Sequence, residues 1–336
     1  MSNYIPLIRP PPPPHTAAAA AGRICPPLPV IAYHHHRTLL LLLLRPKCQT
    51  GSLVTLTARF ESNTQWEEIF HTKCQVPSCP IYLHHNLGHG RSEGTRGHVD
   101  DVQDYVDDVL QHCDAVRQAH SGQPIYIVAH SMGGMIAIRT ALARPKYFKG
   151  LVLMGPLIKP PPNEATPAKI FLAKLVAKIL PYLTVAKLSL DHVTRDQEMK
   201  TRMEKDPLRY HGGILCRWGV TVADTLKYIE QHMDEISWPF KILHGEKDPL
   251  CDIKGSEALF SRAKSKDKGF KIFTGALHHL YCETPEVRRE AMNETVDWVL
   301  ERVTQYHNMN KSIKGRSAHR QSQRHRTSNR RNIYYQ

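Results

Sequence analysis

Three residues that lie far apart in this chain have side chains that together could carry out nucleophilic catalysis. Ser131 offers a hydroxyl, Asp248 a carboxylate and His278 an imidazole, in that order along the sequence. A serine hydroxyl is a poor nucleophile near neutral pH, so it needs a histidine that takes its proton and an acid that orients the histidine. The three residues therefore predict a covalent intermediate on Ser131.

The sequence around Ser131 predicts a sharp turn between a strand and a helix. An apolar run, 125–129, precedes the serine, and 135–143 has good helix formers with an apolar stripe at helical spacing. Such a turn needs small residues two positions before and after the serine, because strand and helix pack closely there. Ala129 and Gly133 meet this need, although the usual pattern G-x-S-x-G has glycine where Ala129 stands. A serine that merely caps a helix gives a similar pattern. The residues that would act together with Ser131 must therefore decide between the two interpretations.

Both partner residues follow predicted strands. The run 239–245 is strand-like and ends shortly before Asp248, and a shorter run, 269–273, leads towards His278. Alternatives exist for each: Asp248 could cap the turn before Pro249, and His278 could be simply one of 21 histidines. Three placements at strand ends favour a shared site over these alternatives.

Five short motifs also follow one another along the chain. They are LGHGRSEG (87–94), HSMGG (130–134), DPL (206–208), DPLCD (248–252) and ETPEV (283–287). With them, the chain from about residue 79 to about residue 303 resembles the monoglyceride lipases of the α/β-hydrolase superfamily. This resemblance implies an α/β class fold, the α/β-hydrolase fold, in which helices flank a mostly parallel central sheet and a helical cap is inserted. The N-terminal strands of that fold are only partly recognisable.

The resemblance implies a role for each candidate residue. Ser131 would be the nucleophile, Asp248 the acid and His278 the base, while the neighbouring His279 does not match the family position of the base. The backbone N–H of Met132 would be one of the two donors that hold the oxyanion. The implied substrate is a monoacylglycerol, and neither a cofactor nor a metal is implied.

Two further positions bear on the glycerol head group. The family has a tyrosine at the position of Met203 and a histidine at the position of Tyr281, so these residues are the candidates for substrate binding. Because both differ from the family, the preferred head group is left open, and a lysophospholipid or another lipid ester is an alternative substrate.

The chain divides into three predicted regions. Residues 1–78 are of low complexity, with runs of proline, alanine and leucine, and are expected to be largely disordered or atypical. Residues 79–305 form the predicted hydrolase domain, in which about 156–237 exceed what the sheet needs and form the cap. Residues 306–336 form a basic tail that is expected to be disordered.

The second oxyanion donor is missing from the recognisable sequence. In the superfamily it comes from a loop with a His-Gly pair, and no such pair occurs before His89. Two other interpretations therefore stay open. The chain could be a catalytically impaired or silent hydrolase-like protein that binds lipid, or an aberrant product whose N-terminal third comes from unrelated sequence.

The distribution of charge along the chain indicates which class of partner it could bind. The formal charge is +14, but residues 1–60 and 302–336 hold 15 of the 45 Lys and Arg residues and no acid, so the region between is close to neutral. Such basic ends favour weak contact with anionic lipid over a specific nucleic-acid site.

The helix predicted at 168–180 is apolar over a wide arc. It could pack on the sheet or form a lid that contacts a membrane, and the resemblance favours the lid.

The expected location is the cytoplasm, with peripheral attachment to membranes. The N-terminus lacks a secretory pattern, and eight cysteines without paired spacing suggest free thiols. Histidine clusters at 34–36 and 84–85 have no Cys or carboxylate at the spacing of a structural zinc site, so no metal is predicted.

Overall fold

The computed structural model describes residues 31–33, 39–41, 52–56 and 81–332. The strands are β1 (Ile31–Tyr33), β2 (Leu39–Leu41), β3 (Ser52–Leu56), β4 (Ile81–His84), β5 (Ile125–His130), β6 (Gly150–Met154), β7 (Thr184–Ala186), β8 (Ile214–Leu215), β9 (Phe240–Gly245) and β10 (Lys268–Phe273). The α-helices are α1 (Val102–Ala119), α2 (Met132–Ala143), α3 (Pro167–Ile179), α4 (Gln197–Lys205), α5 (Cys216–His232), α6 (Ile253–Arg262) and α7 (Pro285–Asn332).

Six strands form one parallel sheet in the order β10-β9-β6-β5-β3-β4. Every residue of β5 and β6 is buried, which explains why these strands are continuous apolar runs rather than alternating ones. β4 is added on one side of β3, at the sheet edge, and β5 is added on the other side. The direction in which successive strands are added therefore reverses between β3 and β5. In parallel sheets this reversal creates a crevice at the carboxyl ends of the strands, and Ser131 follows β5 there.

Helices cover both faces of the sheet. On one face α1, α2 and α5 pack in a large core with residues such as Tyr105, Ile136 and Trp218. On the other face Trp298 and Val299 of α7 pack against a second cluster. The layered, mostly parallel α/β architecture predicted from sequence is therefore the one observed.

The sheet begins earlier in the chain than the predicted domain boundary at residue 79. β3 lies between β4 and β5, and Leu56 stands opposite Ala129 in the register. The residues 52–58 indicate a strand only weakly, because the strand is five residues long. The residues that follow Leu56, where the family carries its His-Gly pair, lie outside the described residues.

The segment predicted as the cap, 156–237, divides into two parts. Its last helix, α5, contributes Trp218, Leu226 and Ile229 to the large core, so it belongs to the layer on the sheet. Ahead of it come α3, the small antiparallel pair β7 and β8, and α4. The helix α3 packs on α5 through Ala173, Val176 and Ala177 rather than on the sheet.

The prediction of a disordered tail at 306–336 differs from the structure, in which α7 continues to Asn332. The sequence after Pro285 contains no further proline and is rich in Arg, a good helix former. Among the described residues, no helix combines the length and the apolar character needed to cross a membrane.

Candidate active site

Ser131 occupies a strained turn between β5 and α2. Its φ is 54° and its ψ is −119°, a conformation that costs a residue with a side chain on the order of 1–3 kcal/mol. The backbone around it compensates, since the Ser131 N–H donates to the Met154 carbonyl at 3.0 Å and the Leu157 N–H donates to the Ser131 carbonyl at 2.9 Å. Close packing explains the small residues that follow, because a Cβ on Gly134 would lie 2.7 Å from the Cβ of Pro156.

Asp248 lies in the turn after β9, and each of its carboxylate oxygens has a partner. The Oδ1 atom accepts the backbone N–H groups of Leu250 at 2.8 Å and Cys251 at 3.0 Å. The Oδ2 atom accepts from His278 Nδ1 at 2.7 Å. Burial by itself would raise the pKa of Asp248, but the His278 imidazole and the hydrogen bonds from histidines outweigh it, so the pKa lies below its ordinary value. The carboxylate is therefore charged near neutral pH.

His278 lies in the loop after β10, and its side chain is almost fully buried. Because a charged carboxylate only accepts hydrogen bonds, Nδ1 carries the proton of the neutral ring and Nε2 is left as an acceptor. Burial lowers the pKa of His278 below 6.5, and the charge of Asp248 opposes this shift. A neutral imidazole with a free Nε2 is the form that can take a proton from a hydroxyl.

Cys251 lies beside the acid and the base. Its Sγ is within 4.8 Å of ligand atoms of both Asp248 and His278. Burial raises the pKa of this thiol well above 9.0. The thiol is therefore neutral near pH 7.

Met132 is the first residue of α2, so its backbone N–H belongs to the helix terminus, where the first N–H groups have no partner within the helix. Such groups attract negative charge, which suits the oxyanion role expected for Met132. β3 pairs with β5 and ends level with Ala129, two residues before Ser131. The end of β3 therefore lies beside the nucleophile.

Three further histidines surround the site. His279 stacks on His130, with 4.1 Å between the ring centroids, and its backbone N–H donates to the Val193 carbonyl at 2.9 Å. The ring of His130 lies 4.6 Å from that of His278. His244 Nε2 lies 3.2 Å from Asp248 Oδ2, the oxygen that also binds His278. The 2.7 Å hydrogen bond of the expected base to the acid is made by His278.

The two candidates for substrate binding lie in different hydrophobic clusters. Met203 of α4 is buried with Val193, Met199 and Cys282. Tyr281 is buried beneath α7, where its hydroxyl is hydrogen-bonded to Thr295. No described contact links either side chain to Ser131, so their role in head-group binding stays a prediction.

Comparison with known proteins agrees with the motifs. A family model described as "Serine aminopeptidase, S33" matches residues 71–285. The monoglyceride lipase of Mus musculus is 36% identical over 223 residues, which cover 66% of this chain and 74% of the relative. The chain belongs to the monoglyceride lipase family of α/β-hydrolases. The Homo sapiens member is 37% identical over 222 residues, 66% of this chain and 73% of the relative.

Solved structures extend the likeness to the fold. The monoacylglycerol lipase of Paleococcus ferrophilus has a TM-score of 0.68 at 25% identity, over 76% of this chain and 96% of that one. A soluble variant of the monoglyceride lipase of Saccharomyces cerevisiae, solved with a substrate analogue, also has a TM-score of 0.68 at 20% identity, over 79% and 92%. The family model leaves residues 1–70 and 286–336 of this chain unmatched.

Sequence reasoning missed two buried residues near the candidate site. Glu283 was noted only as part of a motif, yet its carboxylate accepts the N–H of Leu277, next to His278. His244 was read as a strand residue, although its ring contacts Asp248. The signal that could have found them is the presence of polar side chains within otherwise apolar segments beside the predicted acid and base.

Proposed function

We propose that this chain is a serine carboxylester hydrolase that cleaves monoacylglycerol to a free fatty acid and glycerol through an acyl-enzyme on Ser131. The observation that carries the proposal is the 2.7 Å hydrogen bond between His278 Nδ1 and Asp248 Oδ2, close to a serine on a strained turn. The family membership supports the substrate, because the relatives are named as monoglyceride lipases.

The first half of the reaction transfers the acyl group to the enzyme. Ser131 Oγ attacks the ester carbonyl carbon while His278 Nε2 takes its proton, and Asp248 stabilises the resulting imidazolium. The Met132 N–H donates to the oxyanion of the tetrahedral intermediate. When the intermediate collapses, the bond to the glycerol oxygen breaks and His278 returns the proton to that oxygen.

The second half regenerates the enzyme. Water attacks the acyl carbonyl as His278 Nε2 takes one of its protons, and collapse of the second intermediate releases the fatty acid and reprotonates Ser131. The scheme requires a hydrogen bond from the Ser131 hydroxyl to His278 Nε2. Catalytic hydrogen bonds commonly tighten only when substrate is bound.

Peripheral membrane contact through the cap forms part of the proposal. Eight large apolar side chains of α3 and the segment that follows it are exposed: Phe171, Leu172, Leu175, Ile179, Leu180, Tyr182, Leu183 and Val185. An exposed apolar patch of this kind fits a lipid surface, from which a monoacylglycerol could enter the site. The basic residues of 302–336 add weak, salt-sensitive attraction to anionic lipid.

The test uses a fluorophosphonate probe together with a long-chain monoacylglycerol. The parent protein should be labelled at Ser131 and should release fatty acid. Ser131→Ala should remove the labelling and lower turnover by about 10⁴-fold to 10⁶-fold, because no other group supplies the attacking oxygen. Thr166→Ala, which changes a hydroxyl at the N-terminus of α3 instead, should keep both signals.

A folded parent protein that does not label would contradict the proposal and favour the silent, lipid-binding alternative. Labelling without release of fatty acid from monoacylglycerol would keep the serine hydrolase but reject the substrate. In that case lysophospholipids and diacylglycerols, assayed in parallel, would identify the ester that the site accepts.

A further inference from the structure

His244, at the carboxyl end of β9, lies against the side of Asp248 that also faces His278. Its side chain is fully buried. Its Nε2 atom lies 3.2 Å from Asp248 Oδ2 and 3.1 Å from the carbonyl oxygen of Cys251. Its Nδ1 atom lies 2.8 Å from the hydroxyl of Ser256 in α6, which is itself fully buried. Both ring nitrogens therefore have partners.

The chemistry of those partners fixes the tautomer of His244. A carboxylate and a carbonyl oxygen can only accept hydrogen bonds, so Nε2 must carry a proton to satisfy either of them. In the neutral ring Nδ1 is then the acceptor, and the Ser256 hydroxyl is the donor to it. The opposite tautomer would place a lone pair against the Asp248 carboxylate, which is unfavourable in a buried site.

We propose that His244 and Ser256 are a positioning pair for Asp248, the acid of the proposed site. Ser256 selects the tautomer of His244, and His244 in turn holds Asp248 Oδ2 at the angle from which it meets His278 Nδ1. Asp248 Oδ1 is already fixed by the backbone N–H groups of its own turn. The pair adds a constraint from a different element, α6, on the oxygen that binds the base. This inference rests on the proposed function of Ser131, Asp248 and His278.

The pair also affects the charge that His278 experiences. A donor on Oδ2 withdraws negative charge from the oxygen that faces the imidazole, so its loss should strengthen the hold of Asp248 on the protonated base. The other groups that face His278 are His130 and Cys251, with His279 stacked behind His130. Because these stay in place when residue 244 changes, a shift in the pH profile would report on His244.

The experiment compares His244→Leu, His244→Gln and Ser256→Ala with the parent, and reads kcat, KM and the pH dependence of kcat/KM on a water-soluble ester. His244→Leu should lower kcat by about 10-fold to 100-fold, a smaller loss than removal of the acid itself, with little change in KM. The midpoint of its acid limb should move to higher pH. His244→Gln keeps an N–H donor and should recover most of kcat.

Ser256→Ala should shift kcat and the pH profile in the same direction by a smaller amount, and it should have no further effect when combined with His244→Leu. The matched control is Ser265→Ala, which removes a buried hydroxyl that bonds Asp267 at the start of β10 and should leave the profile unchanged. If His244→Leu fails to fold, Ser256→Ala still decides the proposal by the direction of its pH shift, and His244→Gln decides it by whether it keeps the parent profile.

A pH profile that is the same in parent, His244→Leu and Ser256→Ala would overturn the positioning pair. So would a Ser256→Ala effect that is as large in the His244→Leu background as alone. The proposed function fails separately, because in that case the parent itself would not react with a fluorophosphonate. The two failures are therefore distinguishable.

Discussion

The carboxylate of Glu283 accepts the backbone N–H of Leu277 at 3.0 Å, one residue before His278. Its other oxygen accepts from Arg195 Nε at 2.9 Å, and Arg195 belongs to the segment between β7 and α4. Glu283 is fully buried, so its charge depends on these donors. An ion pair between the buried Glu283 and the partly exposed Arg195 thus ties the loop of the proposed base to the cap segment.

Arg195→Ala should loosen that loop. It removes a charged donor from a buried carboxylate, which should lower the free energy of unfolding by about 1–3 kcal/mol and reduce kcat. Urea unfolding and ester turnover measure the two effects. Arg202→Ala is the control, because its pair with Glu198 is exposed and should contribute no more than about 0.5 kcal/mol. Equal effects of the two substitutions would contradict a special role of the Arg195–Glu283 ion pair.

Gly245→Ala should separate the acid from the base. A Cβ on Gly245 would lie 2.0 Å from the Leu277 carbonyl oxygen and 2.6 Å from that of Ala276, and backbone atoms cannot give way as a flexible side chain does. We expect a stability loss of about 1–3 kcal/mol and a loss of kcat of about 100-fold, since small displacements of catalytic groups are costly.

Gly269→Ala tests whether any added methyl group in this part of the sheet has the same effect. There the new Cβ would meet only the side chain of Lys241, at 3.6 Å. Turnover should stay near that of the parent, and thermal unfolding should change little. A large loss of activity in Gly269→Ala would argue against the specific contact of Gly245 with the base loop.

The domain should lose stability in acid because of a buried pair of histidines. His84 Nδ1 and His112 Nδ1 lie 3.2 Å apart. Burial lowers the pKa of His112 to about 4. Burial also lowers the pKa of His84 well below 6.5, and the neighbouring His112 and His85 lower it further. Above pH 6.5 both rings are neutral in the folded and unfolded chain, so they add no pH dependence.

Between pH 6.5 and about 4 the unfolded chain binds protons that the folded chain does not bind. Each ring should then lower the free energy of unfolding by up to about 1.4 kcal/mol per pH unit. Urea unfolding at several pH values measures this slope, and His84→Leu combined with His112→Leu should flatten it. His211→Leu, at an exposed histidine, should leave the slope as in the parent. An unchanged slope in the double variant would reject this explanation.

The apolar surface of α3 predicts how the protein meets lipid. Ile179 is 81% exposed and Phe171 is 67% exposed, so a charge at either position should not disturb the fold. Ile179→Glu should weaken sedimentation with phosphatidylcholine vesicles and lower turnover of monoacylglycerol presented in them, because the carboxylate resists burial in the interface. Turnover of a short water-soluble ester should be unchanged.

Ile272→Glu, at an exposed isoleucine of β10, is the control for that substitution. It adds the same charge to a different surface and should leave vesicle binding intact. If both variants bind vesicles as the parent does, the cap does not form the membrane contact. High salt should remove only the part of the binding that comes from the basic residues of 302–336.

The order of the candidate residues along the chain is readable from the amino-acid sequence. Local features mark them: the small residues around Ser131, the turn signals before Asp248 and the loop that carries His278. Residue types and periodicity also indicate the apolar face of α1, whose Val102, Tyr105 and Val109 are buried.

The buried polar groups that support that chemistry are visible only in the folded chain. Glu283 contacts the loop of His278, and His244 contacts the side chain of Asp248. Both contacts depend on how β9, β10, α6 and the cap segment come together. The tertiary structure also placed β3 beside β5, although its five residues gave a weak strand signal. Periodicity reports which face of an element is buried, but it does not report which distant element covers that face, and hydrogen-bond partners are set by the latter.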